Sequence, residues 1–336
     1  MSWENKKENA KTRFKQSVRH FLIKHNGLHK TMYYFYSLLT NFHGREHWLR
    51  KKKSAKTYYV IRPRTTCIEG LLSLYVFVMK RVDYALKKGY IPVVDMKNYK
   101  TQYYNGKDNV WEWFFDQPGG VSVDEVYSGS DSVLLSGYKL KSGEDNTLFS
   151  EYVFKDENLN RKCYELMFNN LRFNDKIEKI VVDEASNVPV EECIGVYLRG
   201  TDYVKMKPVG ENVQPTIDMV IEKIREFRGK HGNAPIYLVT EDNEIYLKIK
   251  NEFPDDLRLV SYDSFITDYD GKNFLSKSGV FKKDMRTVGE EYLAKMILLS
   301  RCKYLVSSIT CGSRVSYAWN GNAYSDKYIF DLGKYA

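Results

Sequence analysis

The sequence predicts an α/β protein of two doubly wound, Rossmann-like domains that face each other across a cleft, preceded by a basic helical extension. Three observations carry this reading. Apolar runs of strand length alternate with longer segments of helical periodicity, first over residues 57–188 and again over residues 189–336, and such alternation builds parallel sheets. The polar stretch Asp183-Glu184-Ala185-Ser186-Asn187-Val188-Pro189 separates the two series. The length of 336 residues, at about 150 per domain, is enough for both.

Residues 1–56 form the extension. They hold fourteen Lys and Arg against three Glu, a net of +11 within a total of +9, so the remaining chain carries −2. The positive charge therefore belongs to one segment, and the body has no basic surplus for nucleic acid. Phe14, Val18, Phe21 and Leu22 recur at spacings of three and four among Arg13, Lys15, Arg19 and Lys24. The stretch Met32-Tyr33-Tyr34-Phe35-Tyr36-Ser37-Leu38-Leu39 adds an aromatic band. Two readings fit: an interfacial segment that meets an anionic membrane surface, or helices that pack on the body with a solvated basic face. Mean hydropathy is −0.50, and no apolar run approaches the roughly 18 residues of a spanning helix. The five Cys are widely spaced and lack a C-x-x-C pair, which fits reduced thiols in a cytoplasm.

The first domain opens with the strand Tyr58–Ile61, then a helix over 68–88 that Gly89 stops, then the strand Ile91–Asp95. Gly70 lies in the turn, where a parallel sheet presents ligands. Val133–Leu135 reads as a strand and Asn158–Phe173 as a helix. The cluster Val110-Trp111-Glu112-Trp113-Phe114-Phe115 is either a saccharide platform through Trp111 and Trp113 or buried core. In the second domain strands fall at 193–198, 236–239, 257–261 and 304–307. Helices fall at 216–228, 244–252 and 289–300, and a further one begins at Arg314.

Three of these strands end in polar residues: Tyr197-Leu198-Arg199-Gly200-Thr201-Asp202, Val239-Thr240-Glu241-Asp242, and Ser307-Ser308-Ile309-Thr310-Cys311-Gly312-Ser313-Arg314. In one parallel sheet they share a single edge, and the third offers backbone N–H groups to a phosphate at a helix start.

In order and spacing these segments resemble the three motifs of the GDP-fucose-dependent fucosyltransferases of the α1,6, α1,2 and protein O-fucosyl types, over residues 193–320. The resemblance implies a GT-B enzyme that inverts at the sugar, needs no metal or cofactor, and uses a GDP-sugar donor with a glycan or lipid-linked glycan acceptor. It assigns donor binding to Arg199, Thr240, Glu241, Asp242, Ser307, Ser308, Gly312, Ser313 and Arg314, and the acceptor side to Gly70, Trp111 and Trp113. Arg199 would stabilise charge that develops on the diphosphate. Asp202 and Glu211 compete as general base, because Lys207 stands where the α1,6 type carries a Glu. Gly200 stands where that type has a second Arg, so this motif supplies no two-Arg clamp. Lys295 stands where the family places an acid that reads the base, and Glu291, one turn earlier, is the donor-binding candidate to take its place.

The expectation is a fucosyltransferase of surface-polysaccharide or glycoconjugate synthesis, cytoplasmic and peripheral on the inner membrane face. The rival is a non-catalytic module that binds a membrane or polyanion through residues 1–56. Asp268-Tyr269-Asp270 has the form of a metal-binding D-x-D but follows no strand. His231, the one His of the body, sits in a turn, so a Cys311–His231 pair has little support.

Overall fold

Two sheets organise the chain in the computed structural model, which describes residues 45–53, 56–64, 69–137 and 144–336. The first runs β1-β4-β2-β3, from β1 (His47–Arg50), β2 (Thr57–Ile61), β3 (Ile91–Val94) and β4 (Ser132–Leu135). Strands β4, β2 and β3 are parallel, and β1 joins β4 antiparallel on the outer edge. The second sheet contains β5 (Ile194–Tyr197), β6 (Ile236–Val239), β7 (Leu257–Arg258), β8 (Tyr304–Ser308) and β9 (Asp326–Phe330). Its order is β7-β6-β5-β8-β9 and every pairing is parallel. From β5 the chain builds outward to β7, then returns to lay β8 and β9 on the other side. The order reverses between β5 and β8, and the carboxyl ends of those two strands border a crevice.

Every residue of β4, β5, β6 and β8 is buried. Helices cover both faces of such sheets, which is why these strands read as unbroken apolar runs. Helix α1 (Leu71–Lys87) follows β2 and buries twelve of its seventeen residues. It is followed by α2 (Val123–Ser128), α3 (Glu157–Asn170) and α4 (Asp175–Ala185). The second half adds α5 (Thr201–Met206), α6 (Ile217–His231), α7 (Asn243–Glu252), α8 (Met285–Ser300) and α9 (Cys311–Asn320). One hydrophobic core runs from Tyr59, Leu74 and Tyr75 to Leu293, Val315 and Trp319. Residues 47–336 form one compact unit.

Several elements differ from the sequence reading. Strand β1, counted there with the extension, belongs to the first sheet; its exposed Trp48 and Leu49 among basic residues hid the pattern. Helix α4 starts at the N-cap Asn174 and ends at the polar stretch that was read as a separator. Strand β9 escaped because only its last residue is buried. Helix α8 begins four residues early, where the Asp284 carboxylate accepts the N–H groups of Arg286 and Thr287. The helical reading of 14–22 and the aromatic stretch 32–39 lie outside the described residues. No helix among the described residues is long and apolar enough to cross a membrane.

His231 lies at the amino edge of the second sheet. Its Nε2 is 2.8 Å from Asp326 Oδ2 at the start of β9, and its ring stacks on Tyr304 at 4.4 Å. Lys230 and His231 together hold the Asp326 carboxyl down at about 2. Cys311 follows β8 at the opposite edge, so the two residues do not meet.

Candidate active site

The chain leaves β5 at Tyr197, and two residues later Arg199 meets two carboxylates. Its Nε donates to Glu241 Oε1 at 3.1 Å and its Nη2 to Asp202 Oδ1 at 2.7 Å. Burial alone would weaken this cation, but Glu241 and Asp202 outweigh burial and keep its pKa well above the ordinary value. The Tyr203 ring lies 4.8 Å from the guanidinium. These contacts fix the plane of the group and leave Nη1 without a hydrogen-bond partner among the described residues. A planar fork held in this way offers paired N–H donors to a phosphate.

Glu241, delivered by the end of β6, also accepts from Gly200 N at 3.1 Å and Thr201 Oγ1 at 2.7 Å. Thr201 has φ +35, a strained value for a β-branched residue. Asp242 holds it there by accepting Thr201 N at 2.9 Å while capping α7 through Glu244 N and Ile245 N. Thr240 is buried and its Oγ1 accepts Asp242 N at 3.2 Å. Asp202 Oδ2 accepts Leu275 N at 3.3 Å, so both of its oxygens are engaged.

Gly200 has its own structural cause. A Cβ there would sit 2.5 Å from Asp242 Cβ and 2.3 Å from its Oδ2. Asp242 is pinned by three N–H groups and has no room to retreat. Gly200→Ala is therefore expected to cost about 1–3 kcal/mol of stability, the usual penalty of overpacking. Urea unfolding measures it, and a variant as stable as the parent would show that Asp242 moves freely.

The turn after β8 is built from hydroxyls, most of them already engaged. Ser307 Oγ donates to Tyr197 O at 3.2 Å, and Ser308 Oγ to Gln214 Oε1 at 2.6 Å. Thr310 and Ser313 form a capping box at the start of α9. A Cβ on Gly312 would lie 2.6 Å from Tyr197 OH and 2.7 Å from Tyr292 OH, two hydroxyls themselves 3.3 Å apart. Ser307, Ser308 and Ser313 thus shape the crevice, with their side chains turned inward.

Glu211 stands on the loop after α5, which leaves the helix through Lys207 at φ +45. The segment 333–335 pins this loop: Gly210 N donates to Tyr335 O, Tyr335 N to Glu211 O, and Val213 N to Gly333 O, each at 2.9 Å. The bond from Ser308 to Gln214 ties the same loop to β8. The Glu211 carboxylate lies within electrostatic reach of Tyr203 and Cys311 and has no hydrogen bond or ion pair among the described residues.

On α8, Glu291 Oε1 pairs with Lys283 Nζ at 2.6 Å, and Lys295 forms a buried ion pair with Asp263. A cavity of about 370 Å³ lies between the carboxyl end of β3 and the start of α8; Trp113, Glu112, Asn109, Lys97 and Arg286 line it. The Arg286 guanidinium is 5.4 Å from the Trp113 ring. Trp111 is buried, bonds Asp116 O at 3.1 Å and packs on Phe115, as core residues do. Gly70 caps α1 in open space. Asp268 and Asp270 bond within their own loop to Thr267 and Lys272. Among the described residues no cluster of three or more His, Cys, Asp or Glu is arranged for a metal ion.

A parallel sheet with its order reversed at the strand that carries Arg199 is the architecture of enzymes that hold a nucleotide at a switch point. Its fold is more specific than that class and is shared with a solved α1,6-fucosyltransferase. The structure of the NodZ α1,6-fucosyltransferase soaked with GDP-fucose matches with a TM-score of 0.50 and 17% identity, over 79% of this chain and 93% of that one. POFUT1 in complex with GDP-fucose has a TM-score of 0.47 and 10% identity, over 83% and 99% of the two chains. FUT1 of Arabidopsis thaliana in complex with GDP has a TM-score of 0.45 and 12% identity, over 83% and 71%. No family model and no curated protein sequence matches the chain.

Proposed function

We propose that this protein is an inverting glycosyltransferase that moves fucose, or a closely related sugar, from a GDP-sugar to a hydroxyl of a glycan acceptor. The observation that carries the reading is Arg199, oriented by Glu241 and Asp202 at the switch point, with a free edge of its guanidinium. The two sheets then act as the two halves of a GT-B enzyme, divided near residue 188. The second half holds the nucleotide, and the first presents the acceptor beside Trp113.

In this mechanism the acceptor oxygen attacks the anomeric carbon from the face opposite the diphosphate, and configuration inverts. The bond from that carbon to the β-phosphate oxygen breaks, and its electron pair stays on the phosphate. Arg199 meets the growing charge with donors already in place, which is where electrostatic catalysis is most effective. Glu211 takes the proton of the acceptor hydroxyl. Asp202 and Glu241 are positioning residues that aim Arg199. The negative charge on the departing diphosphate is met by side-chain cations, so activity should persist in EDTA.

The test is a melting assay with GDP, UDP, ADP and CDP, followed by hydrolysis of GDP-fucose with and without EDTA. A shift with GDP and metal-independent hydrolysis are expected. No shift with any nucleoside diphosphate would sink the assignment.

One observation favours contact with an anionic membrane. Strand β1 exposes Trp48 and Leu49 beside the exposed Lys51, Lys52 and Lys53, an apolar and basic pairing suited to a headgroup boundary. Sedimentation with anionic but not zwitterionic vesicles is the expected result, and equal recovery with both would reject it.

A further inference from the structure

The Glu211 carboxylate has no partner among the described residues, so its backbone alone aims it. Residues 207–214, the loop that carries it, contain no helix or strand. Two of their bonds are local, Glu211 N to Pro208 O at 3.0 Å and Gln214 Nε2 to Asn212 O at 2.9 Å. A loop of this kind keeps one conformation only when it is tied to the frame. Gln214 supplies one tie, to Ser308, and the backbone ties run to residues 333–335.

Asn212 and Lys334 face each other as an antiparallel bridge. It is flanked by the bonds of Gly210 and Glu211 to Tyr335 and of Val213 to Gly333, and Gln214 N lies 3.4 Å from Tyr335 OH. The ladder brackets Glu211 on both sides, and the Glu211 carbonyl accepts one of its bonds. The segment leaves β9 at the buried Phe330 and turns at Gly333. Gly333 has φ +80, a value open to glycine and costly for a β-branched residue. Residues 331–334 are exposed and add little to the core. Lys155 pairs with Asp331 at 3.1 Å and Lys334 with Glu151 at 3.4 Å, but exposed pairs are of small worth. The backbone ladder is what holds the loop.

We propose that residues 333–335 are a positioning strap for catalysis: by fixing the backbone of Glu211 they set the reach of its carboxylate toward the attacking hydroxyl. Gly333 and Tyr335 are the positioning residues. This rests on the reading of Glu211 as general base. A base displaced by about 1 Å can lose about a hundredfold in rate, while Arg199, held by Glu241 and Asp202, stays in place. The strap thus governs turnover and leaves donor binding alone.

Two variants break the ladder by different routes: Gly333→Val strains the turn, and Tyr335→Pro removes the N–H given to Glu211. Their hydrolysis of GDP-fucose, in which water replaces the acceptor, is followed with GDP affinity by calorimetry. Each should lower kcat about 10–100-fold and leave GDP affinity within about twofold, and Tyr335→Phe, which keeps the ladder, should stay within about twofold of the parent. In a Glu211→Gln background the same substitutions should cost no more than about a further twofold, because a strap that acts through Glu211 then has nothing to position. Melting temperatures check folding, and if one variant melts early the other carries the test. Parental kcat in the folded ladder variants, with Glu211→Gln slowed, overturns this proposal alone. The full loss repeated in the Glu211→Gln background would mean that the strap acts on another group, and also rejects it. Glu211→Gln hydrolysing at the parental rate overturns the general-base reading and this proposal with it.

Discussion

Arg199→Ala is expected to slow sugar transfer at least about a hundredfold, the loss seen when one preorganised charge-stabilising donor is removed from an active site. The geometry explains why the effect should be large. Two carboxylates hold the guanidinium by separate nitrogens, so it does not need to reorganise as charge develops. The Ala variant also leaves Asp202, whose side chain is 6% exposed, without its cation, and breaking a buried pair in this way costs stability. Arg199→Lys separates the two effects. Lysine keeps the charge beside Asp202 and Glu241 but has no planar fork to share between them and a phosphate. It should melt near the parent and still transfer at least about tenfold more slowly. Transfer at the parental rate by a folded Arg199→Lys protein would remove Arg199 from the chemistry.

The second large effect is expected at Glu211. Glu211→Gln should lower kcat by about 10²–10⁴, the range for loss of a general base, with GDP affinity unchanged. Asp202→Asn should behave differently, because its oxygens already serve Arg199 Nη2 and Leu275 N. Its substitution should weaken donor binding and kcat together by loosening Arg199. If Asp202→Asn abolished turnover while Glu211→Gln left kcat intact, the two roles would have to be exchanged.

Much of the second half was legible in the sequence for a physical reason. Strands covered on both faces must be apolar throughout, so β5, β6 and β8 stood out as continuous runs, and an Arg just past such a run needs a partner or a ligand. The pairing of Arg199 with Asp202 spans the turn into α5, which begins only at Thr201, so no helical spacing announced it. The partnership of Glu241 with Arg199, Gly200 and Thr201 crosses strands and is not visible along the chain. Nor is the reason for Gly200, which lies in Asp242. Hydroxyls that read as ligand contacts, Ser307 and Ser308, proved to bond Tyr197 and Gln214, because a tight turn above a buried sheet must satisfy its own polar groups first. Strands β1 and β9 carry too few buried residues to display a pattern.

The aromatic packing around Tyr75 bears on how such a protein moves. Its ring touches Phe115 and Phe149 from the first half and Trp319 from the second, and Trp319 touches Phe173 in turn. A hinge requires a plane that few side chains cross, and here the dividing plane is bridged by interlocked rings. The frame is thus a welded joint: substrate entry is a matter of loop and side-chain rearrangement, and a swing of one half away from the other would tear the core. Trp fluorescence and far-UV circular dichroism should then report one coincident unfolding transition, with the second half unable to melt by itself.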